Sequence, residues 1–271
     1  LTFTPKVCYN VITIKMEAER LADVLSKRPQ LSKHIVSGGV LVENTKAVLY
    51  GNFKSGKSTF LQYLGLCIAG GLPLFNSERF STVGSKVLYI QMEMPYLTFI
   101  QRLRSSSLTN FPQVQENFYT LTKFWMKLDR DEGIKKLEEE LTGLRPSVVI
   151  IDPGYKCLSG SENSVEDLNL FFDRIDVLME RFKFSIIMTF QGRKTQTLPT
   201  GESRDFGDEE MRGSTAIGGW ADSIIGLRRI GEKMDDTRRK LSFTLRHGVG
   251  ESWSFFEVVD YNTTKGLYSL T

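Results

Sequence analysis

The octet Gly51-Asn52-Phe53-Lys54-Ser55-Gly56-Lys57-Ser58, with Thr59 behind it, fits G-x-x-x-x-G-K-[ST] at every position. No other feature of the chain constrains its fold as much. Glycines let the backbone turn tightly, so that successive N–H groups converge on phosphate oxygens. The helix that follows adds the positive end of its dipole to the same anion. The pattern therefore demands a buried strand before the loop and a helix after it, and both flanks are present. Residues 47–50 are a short apolar run, and residues 57–69 carry Phe60, Leu61, Leu64, Cys67 and Ile68 at helical spacing. Gly70 and Gly71 end that helix. In this setting Lys57 reaches the β- and γ-phosphates and the Ser58 hydroxyl holds Mg²⁺. A glycine turn with a solvated lysine is the competing reading.

Further apolar runs at 87–90, 148–151 and 185–190 alternate with helical stretches after Pro95, at 129–144 and at 164–182. Buried strands separated by helices predict an α/β fold, a mostly parallel sheet flanked by helices. Later runs at 223–227, 241–246 and 253–259 have no helices between them and predict an antiparallel C-terminal extension. Residues 1–46, with a β-like run at 8–14 and an amphipathic stretch at 17–25, read as an N-terminal appendage or linker suited to an oligomer contact. The ATPase-type domain is then 47–271. A polar stretch at 192–210 reads as a loop. Net charge is only +3, so composition makes no electrostatic case for nucleic acid. Cys8, Cys67 and Cys157 lie far apart, which argues against a zinc site or disulfide framework and for a reducing, cytoplasmic compartment. No apolar run reaches the roughly 18 residues of a membrane helix, so no membrane partner is expected.

Three strand ends carry polar groups. Asp152 closes Val148-Val-Ile-Ile, in the crevice where ligands bind in open α/β sheets, and is the second candidate holder of Mg²⁺. An Asp capping the turn at Pro153 is the alternative. Glu93 follows Val87-Leu-Tyr-Ile-Gln-Met and is the candidate to orient or deprotonate an attacking water, provided its strand neighbours the phosphate-loop strand. It also suits a helix N-terminus ahead of Pro95. Gln191 ends Ile186-Ile-Met-Thr-Phe and either touches the γ-phosphate region or lies in a solvated loop.

This order of elements resembles the RecA-like ATPases, and within them the RepA/DnaB-type hexameric replicative helicases. The likeness spans about residues 35–258. It is carried by Tyr50-Gly-Asn-Phe-Lys-Ser-Gly-Lys-Ser-Thr with Ala69-Gly-Gly-Leu-Pro, by Val87-Leu-Tyr-Ile-Gln-Met-Glu, by Ile151-Asp-Pro with Glu162-Asn163, and by Phe190-Gln-Gly-Arg-Lys. The most discriminating stretch is Met211-Arg-Gly-Ser-Thr-Ala-Ile-Gly-Gly-Trp-Ala-Asp222, similar to the family's Arg-x-Ser-x-x-Ile-x-x-x-Ala-Asp.

The resemblance implies ATP with Mg²⁺ as cofactors. It also implies a self-assembled ring or filament, as a hexamer, with nucleotide between neighbours, and single-stranded DNA as a partner. Thr244-Leu-Arg246-His-Gly resembles the Lys-x-Arg-x-Gly strand whose basic residues reach the next subunit's γ-phosphate, which makes Arg246 the finger. Thr244 departs from that pattern, and Arg239 or Lys240 are candidate substitutes for the missing lysine. A strand-edge arginine in solvent is the alternative for Arg246.

The family's polynucleotide loops fall at 155–163 and 193–212. The second holds four basic residues (Arg193, Lys194, Arg204, Arg212) against five acidic ones, a weak grip for phosphate tracking. Two functions are therefore expected to compete: an ATP-driven DNA motor, or an ATPase that switches protein partners without unwinding.

Overall fold

The computed structural model describes residues 18–27, 32–122, 125–192, 214–230, 236–247 and 254–271. The run at 8–14 and the loop at 193–212 lie outside them, as does the start of the stretch at 211–222. Two compact units are present, Leu1–Ser32 and Lys33–Thr271. The first contributes a short helix, α1 (Leu21–Ser26), with Leu21 and Leu25 largely exposed.

The second unit opens with a hairpin, β1 (His34–Val36) and β2 (Leu41–Val42). Its Ile35, Val36, Val40 and Leu41 are buried in the core. Residues 33–46 thus fall in the same compact unit as the sheet. Residues 33–46 supply too few apolar positions to show a period, yet they cover one end of the sheet's core.

Nine strands form the main sheet among the described residues: β3 (Lys46–Gly51), β4 (Val87–Gln91), β5 (Phe118–Thr122), β6 (Val148–Asp152), β7 (Ser185–Gln191), β8 (Ser223–Arg229), β9 (Arg238–Leu245), β10 (Ser254–Asn262) and β11 (Leu267–Leu270). Their spatial order is β11-β10-β9-β8-β3-β7-β6-β4-β5. From β8 to β5 every pairing is parallel, and β9, β10 and β11 add antiparallel. The parallel core with an antiparallel extension is as expected; β11 is an addition to it.

Strand period sorts the core into two layers. Ala47 and Leu49, Val87 and Tyr89, Val148 and Ile150 face one layer; Val48 and Tyr50, Leu88 and Ile90, Val149 and Ile151 face the other. On the first side lies α2 (Lys57–Gly70), buried from Phe60 to Ala69 because sheet and later segments cover it all round. Gly71, in the left-handed region at φ 64°, caps its C-terminus. The second layer is closed by α5 (Asp131–Leu144), α6 (Val165–Phe182) and α7 (Ser214–Trp220), numbered after α3 (Tyr96–Ser105) and α4 (Pro112–Asn117). Trp220 stacks on Phe172 with ring centroids 4.2 Å apart. Each fully buried Leu, Ile, Val or Phe contributes about 1.5–3 kcal/mol, so this two-sided burial fixes the heights at which the parallel strands end.

Candidate active site

The parallel strands finish at one edge, and the phosphate loop turns there. β3 runs in between β7 and β8, and its last residue, Gly51, sits where a Cβ would lie 2.3 Å from the Leu227 carbonyl oxygen. Only glycine fits. Ser55 N–H donates to the Asn52 carbonyl at 3.1 Å, Gly56 adopts φ 99°, and α2 starts at Lys57. Lys54 takes φ 60°, unusual for a residue with a side chain. Phe53 and Lys54 are exposed, and Ser58 and Thr59 half-buried. The Ser55 hydroxyl oxygen is buried without a hydrogen-bond partner in the protein, an orphan of the kind a bound polar ligand satisfies.

The Lys57 ammonium folds back and donates to the carbonyls of Gly51 at 2.7 Å and Asn52 at 3.0 Å. Burial pulls its pKa below the ordinary lysine value, while the carboxylates of Asp152, Glu93 and Glu162 oppose that fall. Three carboxylates thus stand within the field of one P-loop cation.

Asp152, the last residue of β6, is 5% exposed. Its Oδ2 accepts the Tyr89 hydroxyl at 2.7 Å and its Oδ1 the Thr189 hydroxyl at 2.9 Å. Among the described residues no backbone N–H donates to this carboxylate, so the turn-capping alternative has no bond behind it. Glu93 is exposed, just beyond β4. The buried Gln91 pins its turn by accepting the N–H groups of Glu93 and Met94.

The condition attached to Glu93, that its strand neighbour the phosphate-loop strand, is not met: β7 and β6 stand between β3 and β4. Glu93 is brought back to the site by the turn beyond the strand. There its Oε1 accepts the Tyr155 hydroxyl at 3.0 Å. Gln191 pairs in register with Gly51, and its side chain meets the same Tyr155 hydroxyl. Desolvation, with the Glu93 carboxylate alongside, pushes the Tyr155 phenol up to about 12.

Lys57, Ser58, Glu93, Asp152 and Gln191 therefore lie at one edge, and Arg246 does not. It follows β9 at the opposite edge, where its guanidinium donates to Asp222 Oδ1 at 3.0 Å. The same carboxylate's Oδ2 accepts the Lys46 N–H, at the start of β3. Arg239, a candidate substitute for the missing finger lysine, is at the phosphate-loop end of β9, with Nε donating to the Ser55 carbonyl at 3.0 Å. Lys240 stands over the Phe256 ring, also at that end. Neither is placed beside Arg246.

The loop at 155–163 is described and anchored. Asp129 accepts the Ser159 N–H at 2.7 Å, and Asp167 the Ser161 N–H at 2.9 Å.

Among the described residues no group of three or more His, Cys, Asp or Glu could hold a metal ion. One carboxylate, Asp152, and one hydroxyl, Ser58, are hard oxygen donors. That sparse set fits Mg²⁺ arriving with a nucleotide's phosphates and not a resident metal cage. Sequence reasoning missed Tyr89, Thr189 and Tyr155. The first two carried a signal, since a phenol or hydroxyl inside a fully apolar strand needs a buried partner. Cys67 and Cys157 are buried and unpaired, and no helix among the described residues is long and apolar enough to cross a membrane.

Residues 13–197 match the family described as AAA domain. No curated protein matches the chain. Among solved structures it is similar to the ATPase domain of a second protein, at 12% identity and a TM-score of 0.62, over 83% of this chain and 84% of that one. At that identity the likeness concerns the fold, which is RecA-like.

Proposed function

We propose, on the premise that this chain belongs to the AAA-domain family, that it is an ATPase whose hydrolysis drives an oligomeric, replicative-helicase-like motor on single-stranded DNA. The observation that carries the ATPase reading is the Lys57 ammonium, held on two loop carbonyls with Asp152, Glu93 and Glu162 in its field. An incoming polyphosphate replaces those carbonyls as the partner of Lys57. The loop N–H groups and the α2 dipole add to the same anion. Mg²⁺, when bound with the nucleotide, neutralises charge on the β- and γ-phosphate oxygens, and Ser58 and Asp152 are the residues that would hold it. Glu93 accepts the proton of the attacking water. Oxygen bonds to the γ-phosphorus, the bond to the bridging oxygen breaks, and ADP and inorganic phosphate leave. Tyr155 holds Glu93 and Gln191 to a common hydroxyl, so water positioning and γ-phosphate contact are coupled through one side chain.

The position of Arg246 supports an assembly. At the far edge of its own sheet it has no access to its own phosphate loop, so a catalytic role requires a neighbouring subunit. The RecA-like fold suits such a ring. A second reading, an ATPase that switches protein partners without unwinding, is favoured by the acidic balance of residues 193–212 and by Thr244. A reducing, cytoplasmic setting accompanies either.

The deciding experiment measures ATP turnover with and without single-stranded DNA, using Lys57→Ala as the blank. Stimulation by DNA is expected, and turnover below about 1% in the variant. Turnover indifferent to DNA and RNA strands sinks the motor reading; substantial turnover by Lys57→Ala sinks the ATPase site itself.

A further inference from the structure

We infer that Tyr89 and Thr189 are positioning residues that lock the Asp152 carboxylate in the single orientation in which it serves a divalent cation brought by the nucleotide. The inference rests on the proposed metal role of Asp152 and deepens it.

Asp152 ends the central strand of the trio β4-β6-β7, and each flanking strand lends it one hydroxyl. Tyr89 of β4 takes Oδ2 and Thr189 of β7 takes Oδ1, so both oxygens are fixed and the carboxylate plane cannot rotate without breaking a bond. An ionised carboxylate offers about four lone-pair sites, and this clamp consumes two. The remaining ones are left for a cation at the edge where α2 begins with Lys57 and Ser58.

Both donors are themselves immobilised. Tyr89 is fully buried, with its ring between Phe99 at 5.6 Å and Phe118 at 5.8 Å. Gln62 of α2 also stands beside its hydroxyl, which ties the clamp to the phosphate-loop helix. Thr189 is fully buried in β7, two residues before Gln191. A purely structural carboxylate needs satisfied oxygens but no particular orientation. Metal ligands, by contrast, are aimed by outer-shell hydrogen bonds whose removal typically weakens metal affinity about 10–100-fold.

The test uses the whole chain with Tyr89→Phe, Thr189→Val, Thr189→Ser and Asp152→Asn. Each is titrated with a fluorescent ATP analogue in EDTA and then with Mg²⁺, and Mn²⁺ binding in the presence of nucleotide is followed by electron paramagnetic resonance. Tyr89→Phe keeps the ring packing and Thr189→Val the shape. The expected result is unchanged nucleotide affinity in EDTA and a Mg²⁺ half-saturation raised about 10-fold by each. Thr189→Ser, which keeps the hydroxyl, stays near the unsubstituted protein. If both lose melting temperature but keep the original Mg²⁺ and Mn²⁺ half-saturation while Asp152→Asn raises it, the clamp is overturned and the metal role of Asp152 stands. If Asp152→Asn also leaves both unchanged, the metal role falls and takes the clamp with it.

Discussion

Replacing Arg246 by Ala separates action within a subunit from action between subunits. In the folded chain Arg239 marks the phosphate-loop end of β9 through its bond to the Ser55 carbonyl, and Arg246 follows the other end. Seven residues at about 3.4 Å each separate them by ~24 Å, beyond the reach of any side chain. The Arg246 side chain is half exposed, so losing its ion pair with Asp222 costs at most about 1 kcal/mol and leaves the fold intact. Turnover, however, falls by about 10³-fold or more if the guanidinium serves a transferring phosphoryl group. Mixing Arg246→Ala subunits with Lys57→Ala subunits then revives activity. Arg246→Ala supplies an intact loop and Lys57→Ala an intact finger. In a randomly mixed 1:1 ring with head-to-tail interfaces, about one quarter of them join the two. The assay is steady-state phosphate release, with subunit exchange verified by fluorescence transfer between labelled subunits. A mixture that exchanges but shows no more than the sum of its two parents refutes the trans arrangement.

Two further outcomes are open to direct measurement. Gly51→Ala puts a methyl group 2.3 Å from the Leu227 carbonyl oxygen, so it should destabilise by about 1–3 kcal/mol in urea titration and weaken nucleotide binding; an unchanged midpoint would show that β8 yields freely. Tyr155 is a phenol raised from about 10 unfolded to about 12 folded, so its contribution is complete below pH 10 and lost as pH rises through 12; Tyr155→Phe should flatten the alkaline fall of the melting temperature, and an identical fall would contradict the burial described for that hydroxyl.

Much of this was written locally. The strands β3, β4, β6 and β7 are legible because parallel strands buried on both faces read as unbroken apolar runs, and the polar tips Glu93, Asp152 and Gln191 follow directly from where those runs stop. Spatial order is another matter. Nothing in Val87-Leu-Tyr-Ile reveals that two strands intervene before β3, so the adjacency on which the Glu93 reading was conditioned is absent, and where Glu93 stands is set by the turn beyond β4. The hydroxyls of Tyr89 and Thr189 find Asp152 only because β4 and β7 flank β6, a fact of pairing rather than of period. The hairpin β1–β2 and the four-residue β11 are too short to show alternation, and their burial comes from what packs on them.

The uninterrupted pairing of β9 on both sides has a metrical consequence. Hydrogen-bonded to β8 along one flank and β10 along the other, it can neither stretch nor slip by one residue without sending Leu241 and Phe243 out of the core. If subunits assemble into the proposed ring, with Arg246 serving the neighbour, β9 would act as a gauge rod between one reaction centre and the arginine offered to the next. Lengthening it by a single residue would therefore put every centre out of step with its neighbour while leaving each subunit's own phosphate loop untouched.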